Sequence, residues 1–120
     1  RAVIDRKQHH SQGLFADGWA TRRLHWMLPG TVKSIQIEGH CPGWAPAFHR
    51  QRLRVFANGA EVGVANPAIG DFSVRVDFPH AIGTPVLRID AAESIAPKEI
   101  GASPDPRKLA WRMTSIRGVD

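Results

Sequence analysis

Short apolar segments that alternate with polar residues recur along most of this chain, and this pattern indicates a β fold. The clearest case surrounds Asn58-Gly59, a pair typical of the type I′ turn between two antiparallel strands. With that turn, every apolar partner falls on one face of the hairpin, so turn chemistry and register agree. The predicted hairpin pairs are Ala57–Ala60, Val55–Val62 and Leu53–Val64.

The other alternating segments are short and evenly spaced, at residues 24–28, 35–37, 72–78, 87–89 and 109–117. Pro79 is expected to end the third strand of this series. Ile116 breaks the parity of the last one, which indicates a bulge or a strand covered on both sides. We therefore predict an all-β fold, a two-sheet antiparallel β-sandwich, jelly-roll-like, with about seven or eight strands.

Two longer connections, residues 39–51 and 94–108, are expected to cross between the sheets. Within the second, Asp105-Pro106 has the residue types that begin a single helical turn, with Asp as N-cap and Pro at the first position. The sequence contains no internal repeat, low-complexity tract or linker.

Length and composition indicate one domain spanning residues 1–120. With 42% hydrophobic and 22% charged residues, the chain resembles a folded globular protein and not a disordered one. The single cysteine, Cys41, cannot form an intramolecular disulfide, so the core alone must stabilise the fold. The chain begins with Arg1 and not with Met, which suggests a segment of a longer protein.

No apolar run reaches the roughly 18 residues that span a bilayer, so we expect no membrane insertion. The lone cysteine fits a cytoplasmic location, although export remains open. The net charge of +5 would suit a phosphate backbone, but no nucleic-acid motif or aromatic stacking platform accompanies the basic residues. We therefore interpret the arginines as solvated strand faces, and expect no nucleic-acid partner.

Catalytic and metal-binding patterns are absent from the sequence. The six histidines are scattered, and His40, Cys41 and His49 lack the spacing of known zinc motifs. The carboxylates are dispersed, and no nucleophile elbow, phosphate-binding glycine loop or dinucleotide motif is present. We expect a protein that is not an enzyme, with no metal and no cofactor; a hydrolase or metal-dependent enzyme is the third alternative.

Two tryptophans are better candidates for function. Trp19 follows Asp17-Gly18 and Trp44 lies in a Pro- and Gly-rich stretch, so both are expected in turns or loops. Exposed aromatic rings can stack against the C–H face of a sugar while neighbouring polar groups bind its hydroxyls. Alternatively, Trp44 folds back to cover the edge of the sandwich. The predicted ligand-binding residues are Trp44, Trp19, His49, Arg50 and Gln51, with His40 nearby.

One resemblance spans nearly the whole chain. The segments Ala-Pro-Lys-Glu-Ile-Gly (96–101) and Ser-Pro-Asp-Pro-Arg-Lys-Leu (103–109), followed by Ile116-Arg117, resemble the end of small β-sandwich modules that accompany bacterial glycosyltransferase domains in surface-polysaccharide synthesis. Gly18-Trp19, then Thr-Arg-Arg (21–23) and Leu28-Pro29, resemble the opening of such modules. These motifs are short and degenerate, and no transferase domain is present in these residues.

The resemblance implies a non-catalytic accessory module that binds a glycan or a partner protein. Even so, Asp105 and Arg107 are expected to be structural, locking the long loop through backbone contacts. The leading hypothesis is carbohydrate binding linked to bacterial surface-polysaccharide metabolism. The alternative is a protein-protein interaction or self-association module, a possible homo-oligomer, that uses the sheet face bearing Phe56.

Overall fold

The computed structural model describes residues 11–119, with the backbone alone at Ser11 and Gln12. This part of the chain forms eight strands and two 3₁₀ turns, Pro46–Arg50 and Pro97–Ile100. None of its segments is a helix of the length and apolar character needed to cross a bilayer. The strands are β1 (Ser11–Leu14), β2 (Trp19–Met27), β3 (Thr31–Cys41), β4 (Leu53–Ala57), β5 (Ala60–Ala65), β6 (Gly70–Gly83), β7 (Val86–Ala91) and β8 (Trp111–Val119).

The strands form one sheet in which every described pair is antiparallel, in the order β5-β4-β7-β2-β8-β3-β6, with β1 paired to β2. Strand β2 joins the two halves of the sheet: Trp19 and Ala20 pair with β8, and residues 23–27 pair with β7. The end strands approach each other, because a Cβ at Gly63 of β5 would overlap with Val76 of β6. The sheet is therefore nearly closed and barrel-like.

The predicted all-β class and number of strands are confirmed. The division into two stacked sheets is not, since the strand pairing runs continuously through β2. Strand β1, which the alternation did not predict, pairs along β2 with an irregular register between Gln12 and Leu14.

One hydrophobic core receives alternate side chains from seven strands. Trp26 and Trp111, which lie in the alternating segments 24–28 and 109–117, have exposed fractions of 1% and 0%. Gly39 makes room for Trp111, since a Cβ there would lie only 3.1 Å from the indole Cε3. The apolar residues of the alternating segments thus form the core, as a side-chain period of two residues indicates.

The Asn58-Gly59 turn is confirmed, with φ angles of 50° and 90° and Ala57 opposite Ala60. The rest of the predicted register is wrong. A bulge between Val55 and Phe56 shifts the pairing by one residue, so Val55 lies opposite Gly63 and Leu53 opposite Ala65. The additional residue is Val62 of β5, so Val55 and Ala57 keep their places in the core while Phe56 lies on the other face.

Pro79 does not end its strand, contrary to the prediction, because β6 continues to Gly83. The pairing between β3 and β6 shifts at this point, from Ser34–Asp77 to Val32–Ile82. Since β6 is an end strand and the proline lies in the irregular stretch, its missing N–H interrupts no regular ladder.

The last strand begins at Trp111, later than the predicted Leu109, which forms an isolated bridge with Ile95 instead. Of the two explanations for the parity break at Ile116, the bulge is confirmed. Glu38 lies opposite Ser115 and Gly39 opposite Met113, so Thr114 is the additional residue. The extra residue allows both Met113 and Ile116 to be buried.

The short helical turn in the second long connection is at Pro97–Ile100 and not at Asp105-Pro106, where it was expected. Pro97 occupies the start of the turn, where its missing N–H costs nothing, and Gly101 follows with a φ of 71°. The Asp105 carboxylate accepts a hydrogen bond from the Arg107 backbone N–H at 2.9 Å instead of capping a helix. This contact agrees with the structural role expected for Asp105 and Arg107.

Candidate functional site

The tight turn between β1 and β2 presents Asp17 and Trp19 at the surface. Gly18 has a φ of 94°, and its N–H donates to the Phe15 carbonyl at 2.9 Å. The Trp19 N–H donates to the Asp17 carboxylate at 3.3 Å, and the Met113 N–H donates to the Gly18 carbonyl at 2.8 Å. The turn is thus held at both ends, because glycine accepts a positive φ and Asp bonds to the backbone two residues ahead.

Trp19 and Trp44 are stacked. Their ring centroids are 5.0 Å apart with 25° between the planes, and both side chains are partly buried. Trp44 also contacts the edge of Phe48, whose ring is buried within the 3₁₀ turn Pro46–Arg50. This cluster orders the connection after β3 and holds Trp19 from behind, as offset aromatic pairs do.

A row of polar side chains extends sideways from Trp19 across three further strands. Arg112 of β8 lies opposite Trp19, His40 of β3 lies opposite Arg112, and Asp71 of β6 lies opposite His40. Directly opposed residues of a sheet point to the same face, and here that face is opposite to the core. His40 Nδ1 is 2.9 Å from Asp71 Oδ1, and the Asp71 side chain is 95% exposed. The row therefore combines an indole ring, a guanidinium group, an imidazole ring and a carboxylate.

These residues line an open groove of about 480 Å³, which also includes Asp17, Met113 and Thr114. Arg112 Nε donates to the Asp17 carbonyl at 3.3 Å and so connects the row to the turn. The carboxylates of Asp17 and Asp71 are hydrogen-bond acceptors, and Arg112 is a donor. The groove can therefore bind both the hydrogen-bond donors and the hydrogen-bond acceptors of a polar ligand, beside an aromatic surface.

The Asp17 carboxylate also forms an ion pair with Arg107. Arg107 donates to it from Nη2 at 2.8 Å and to Asp105 at 2.7 Å. The hydrogen bonds from Arg107 lower the pKa of both carboxyl groups, and the two carboxylates raise the pKa of Arg107. All three groups therefore stay charged at neutral pH, and the side wall of the groove is fixed to the long connection before β8.

The structure brings together only part of the predicted site. Trp19 lines the groove and Trp44 stacks behind it. His49 and Arg50 are exposed on the 3₁₀ turn and do not line the groove. Gln51 is 1% exposed, and its amide group bonds to backbone groups of Arg52, Glu93 and Ala110. The Gln51 amide is thus already satisfied by the protein, and we assign it a structural role.

The sequence analysis did not select Asp17, Asp71 and Arg112 for the site, and named His40 only as a neighbour. Asp17 had a local signal, because Asp-Gly-Trp places a carboxylate two residues from a turn aromatic. Asp71 and Arg112 had none. They meet His40 only through the pairing of β3 with β6 and β8.

The residues considered for other chemistry do not converge. Cys41 is fully buried, and burial raises the pKa of its thiol, whereas the neighbouring His40 lies on the outer face. Among residues 11–119, no group of three or more His, Cys, Asp or Glu side chains could hold a metal ion. His9 and His10 lie outside the described residues.

Phe56, the contact residue of the interaction hypothesis, is covered by arginine side chains of its own sheet. The ring is 8% exposed, with the guanidinium carbons of Arg88 and Arg54 at 3.9 and 5.2 Å from its centroid. Cation–π contacts of this kind stabilise the sheet surface. The Phe56 ring is therefore covered by neighbouring side chains and is not an exposed contact surface.

Comparison of the chain with protein-family models, with curated proteins and with solved structures found no match. The geometry of the groove is therefore the main basis for assigning a function.

Proposed function

We propose that this protein binds carbohydrate, without transforming it, in the groove that begins at Trp19. The observation that supports this most is the lateral row of Trp19, Arg112, His40 and Asp71 across four strands. The row puts an aromatic ring at one end of a line of exposed hydrogen-bonding groups.

The residue types suit a sugar. A pyranose ring has an apolar C–H face that stacks on an aromatic ring and a rim of hydroxyl groups that both donate and accept. Asp17 and Asp71 accept from hydroxyls, and Arg112 donates to them. The open groove of about 480 Å³ falls within the range of small-ligand sites.

Trp44 contributes by supporting Trp19. A ring held at 5.0 Å from a second indole has fewer orientations to lose when a ligand stacks on it. His49 and Arg50 remain predicted contacts only for a ligand that extends from Trp44 over the 3₁₀ turn.

The resemblance to accessory modules of bacterial glycosyltransferases supports a further part of the proposal, that the glycan belongs to surface-polysaccharide metabolism. In the protein-interaction alternative, the sheet face bearing Phe56 would act through its neighbouring arginines, because Arg88 and Arg54 cover the Phe56 ring. Among the groove residues, Asp17, Asp71, Arg112 and Thr114 are exposed, and Trp19 and His40 are partly exposed.

A glycan array with the purified protein tests the proposal. We expect binding to at least one class of oligosaccharide, reduced about tenfold or more by Trp19→Ala, because the stacking surface is lost. Trp44→Ala should abolish or strongly weaken binding as well, whereas Trp44→Phe should keep most of it.

His80→Ala provides the matched control, since His80 is exposed on β6 and does not line the groove. Thermal unfolding of each variant shows whether the fold persists. Glycan binding that survives Trp19→Ala and Trp44→Ala in folded protein would contradict the groove as the site. Failure of the folded wild-type protein to bind any glycan would contradict the function itself.

A further inference from the structure

A second cavity, of about 380 Å³, lies next to the groove on the other side of Arg107. It is located between the start of β2 and the long connection before β8, and it is lined by Phe15, Thr21, Arg22, Arg23, Ser94, Arg107 and Lys108. The guanidinium carbon of Arg107 lies 4.5 Å from the centroid of the Phe15 ring. Four cationic side chains thus surround a small cavity with an aromatic wall.

Only two of these four cations are balanced by nearby carboxylates. Arg107 is paired with Asp17 and Asp105, and Arg23 is paired with Asp90 at 3.2 Å. Arg22 and Lys108 have no ion-pair partner among residues 11–119, although Arg22 Nε lies 3.5 Å from the Ala91 carbonyl oxygen. The described part of the cavity therefore has an uncompensated positive charge.

The same cavity offers a neutral donor. The Ser94 hydroxyl is partly buried at its wall and forms no hydrogen bond within the described residues. A hydroxyl beside guanidinium and ammonium groups can donate to an oxyanion, and arginine binds carboxylate, sulfate and phosphate through paired N–H groups. The uncompensated charge and the free hydroxyl therefore point to the same ligand chemistry.

We propose that this cavity, the basic pocket, binds an anionic oxygen group of the glycan that occupies the groove, so that the ligand is an acidic polysaccharide. The inference rests on the proposed function for the identity of the ligand. The two sites share one wall, because Asp17 of the groove and Arg107 of the basic pocket are hydrogen-bonded to each other at 2.8 Å. A carboxylate, sulfate or phosphate substituent on a sugar chain would have the required charge.

Inorganic sulfate and phosphate provide the first test, since they need no knowledge of the glycan. We expect saturable chemical-shift changes at the backbone amides of Thr21, Ser94 and Lys108 when either anion is titrated into the isotope-labelled protein. The double variant Arg22→Gln with Lys108→Gln should lose them. Changes that do not saturate, or that persist in the folded double variant, would overturn the basic pocket as an anion site.

Oligosaccharides of equal length then separate this inference from the proposed function. Calorimetry would compare a neutral glucan hexamer, a polyuronate hexamer and a sulfated hexasaccharide at low and moderate salt. We expect the acidic chains to bind more tightly than the neutral one, and the double variant to weaken only acidic binding, by about tenfold, as expected for the loss of charge-assisted hydrogen bonds. Lys33→Gln with Arg75→Gln removes the same charge from exposed positions outside the cavity, and should have little effect.

Other outcomes of these experiments would contradict one of the two proposals, the groove or the basic pocket. Trp19-dependent binding of sugars with no preference for acidic chains would contradict the basic pocket and leave the groove standing. Acidic binding that needs Arg22 and Lys108 but not Trp19 would contradict the groove and support the basic pocket. Equal losses of affinity in the double variant and its control would assign the effect to net charge and contradict the basic pocket. Equally tight binding of single-stranded DNA would contradict an acidic glycan as the ligand.

Discussion

Gln51 shows how a residue that looks suited to ligand binding on sequence grounds can be committed to the fold. Its Nε2 donates to the carbonyls of Glu93 at 3.0 Å and Ala110 at 3.2 Å, while its Oε1 accepts from the Glu93 N–H at 3.0 Å. These groups belong to the two ends of the long connection before β8. The buried amide therefore joins the two ends of this connection next to the isolated Ile95–Leu109 bridge.

We expect Gln51→Ala to destabilise the protein by about 2–4 kcal/mol, because it leaves buried backbone groups of Glu93 and Ala110 without partners. Chemical denaturation followed by circular dichroism measures this. Gln36→Ala is the matched control: within residues 11–119 the partly exposed Gln36 side chain bonds only to the Ser73 hydroxyl, so its loss should cost about 0.5 kcal/mol. Equal effects of the two substitutions would contradict the structural role of Gln51.

At the scale of elements, the connection between β7 and β8 is attached to the turn between β1 and β2 through one arginine. Arg107 contacts Asp105 in its own connection, Asp17 in the turn, and the Phe15 ring. Since the groove begins at Asp17 and the basic pocket at Arg107, this attachment fixes the two proposed sites relative to each other.

The carboxylate part of this attachment depends on pH. The pKa values of Asp17 and Asp105 are below their ordinary 3.8 in the folded protein, so their pairing stabilises the fold fully above that value and is lost as pH falls below it. We therefore expect Arg107→Gln to lower the free energy of unfolding most at neutral pH and less at pH 3, as measured by urea denaturation at both values.

Arg75→Gln serves as the control for that pair of measurements. Arg75 forms an exposed ion pair with Asp77 at 2.8 Å, two residues away, and should contribute little at either pH. A destabilisation by Arg107→Gln that is the same at both pH values would assign the effect to the stacking of Arg107 on Phe15 and contradict the carboxylate pairing.

At the scale of the whole molecule, near-closure of the sheet depends on the contact between its two end strands. Strand β5 lies against β6 at Gly63 and Val76, where there is no space for a Cβ on the glycine.

A double-mutant cycle tests this contact. We expect Gly63→Ala to destabilise the protein by about 1–3 kcal/mol through overpacking against Val76. In the background of Val76→Ala the same change should cost at least about 1 kcal/mol less, because space is restored and the two sites are coupled. Thermal or chemical unfolding of the four proteins gives the coupling energy.

Gly83→Ala is the control for the cycle, since the nearest atom to its added Cβ, the Thr31 hydroxyl oxygen, lies 4.0 Å away. That substitution should change stability by about 0.5 kcal/mol or less. Strictly additive effects of the Gly63 and Val76 substitutions would show that the ends of the sheet do not meet in solution.

The local features of this protein could be predicted from neighbouring residues alone. Period-2 alternation indicated the strands, Asn58-Gly59 the type I′ turn, and the parity break at Ile116 a bulge, because each depends on neighbouring residues and their steric preferences. The predicted two-sheet arrangement was not confirmed, since alternation reports which face of a strand is buried and not which strands are neighbours.

The composition of the groove depends on which distant strands are paired. Asp71, His40, Arg112 and Trp19 are distant in sequence, and they form a row because β6, β3, β8 and β2 are adjacent in register. Likewise, Gln51 is a structural residue because its amide bonds to the carbonyls of Glu93 and Ala110, which are distant in sequence. Long-range pairing selects which polar side chains meet, and local propensities carry no information about that choice.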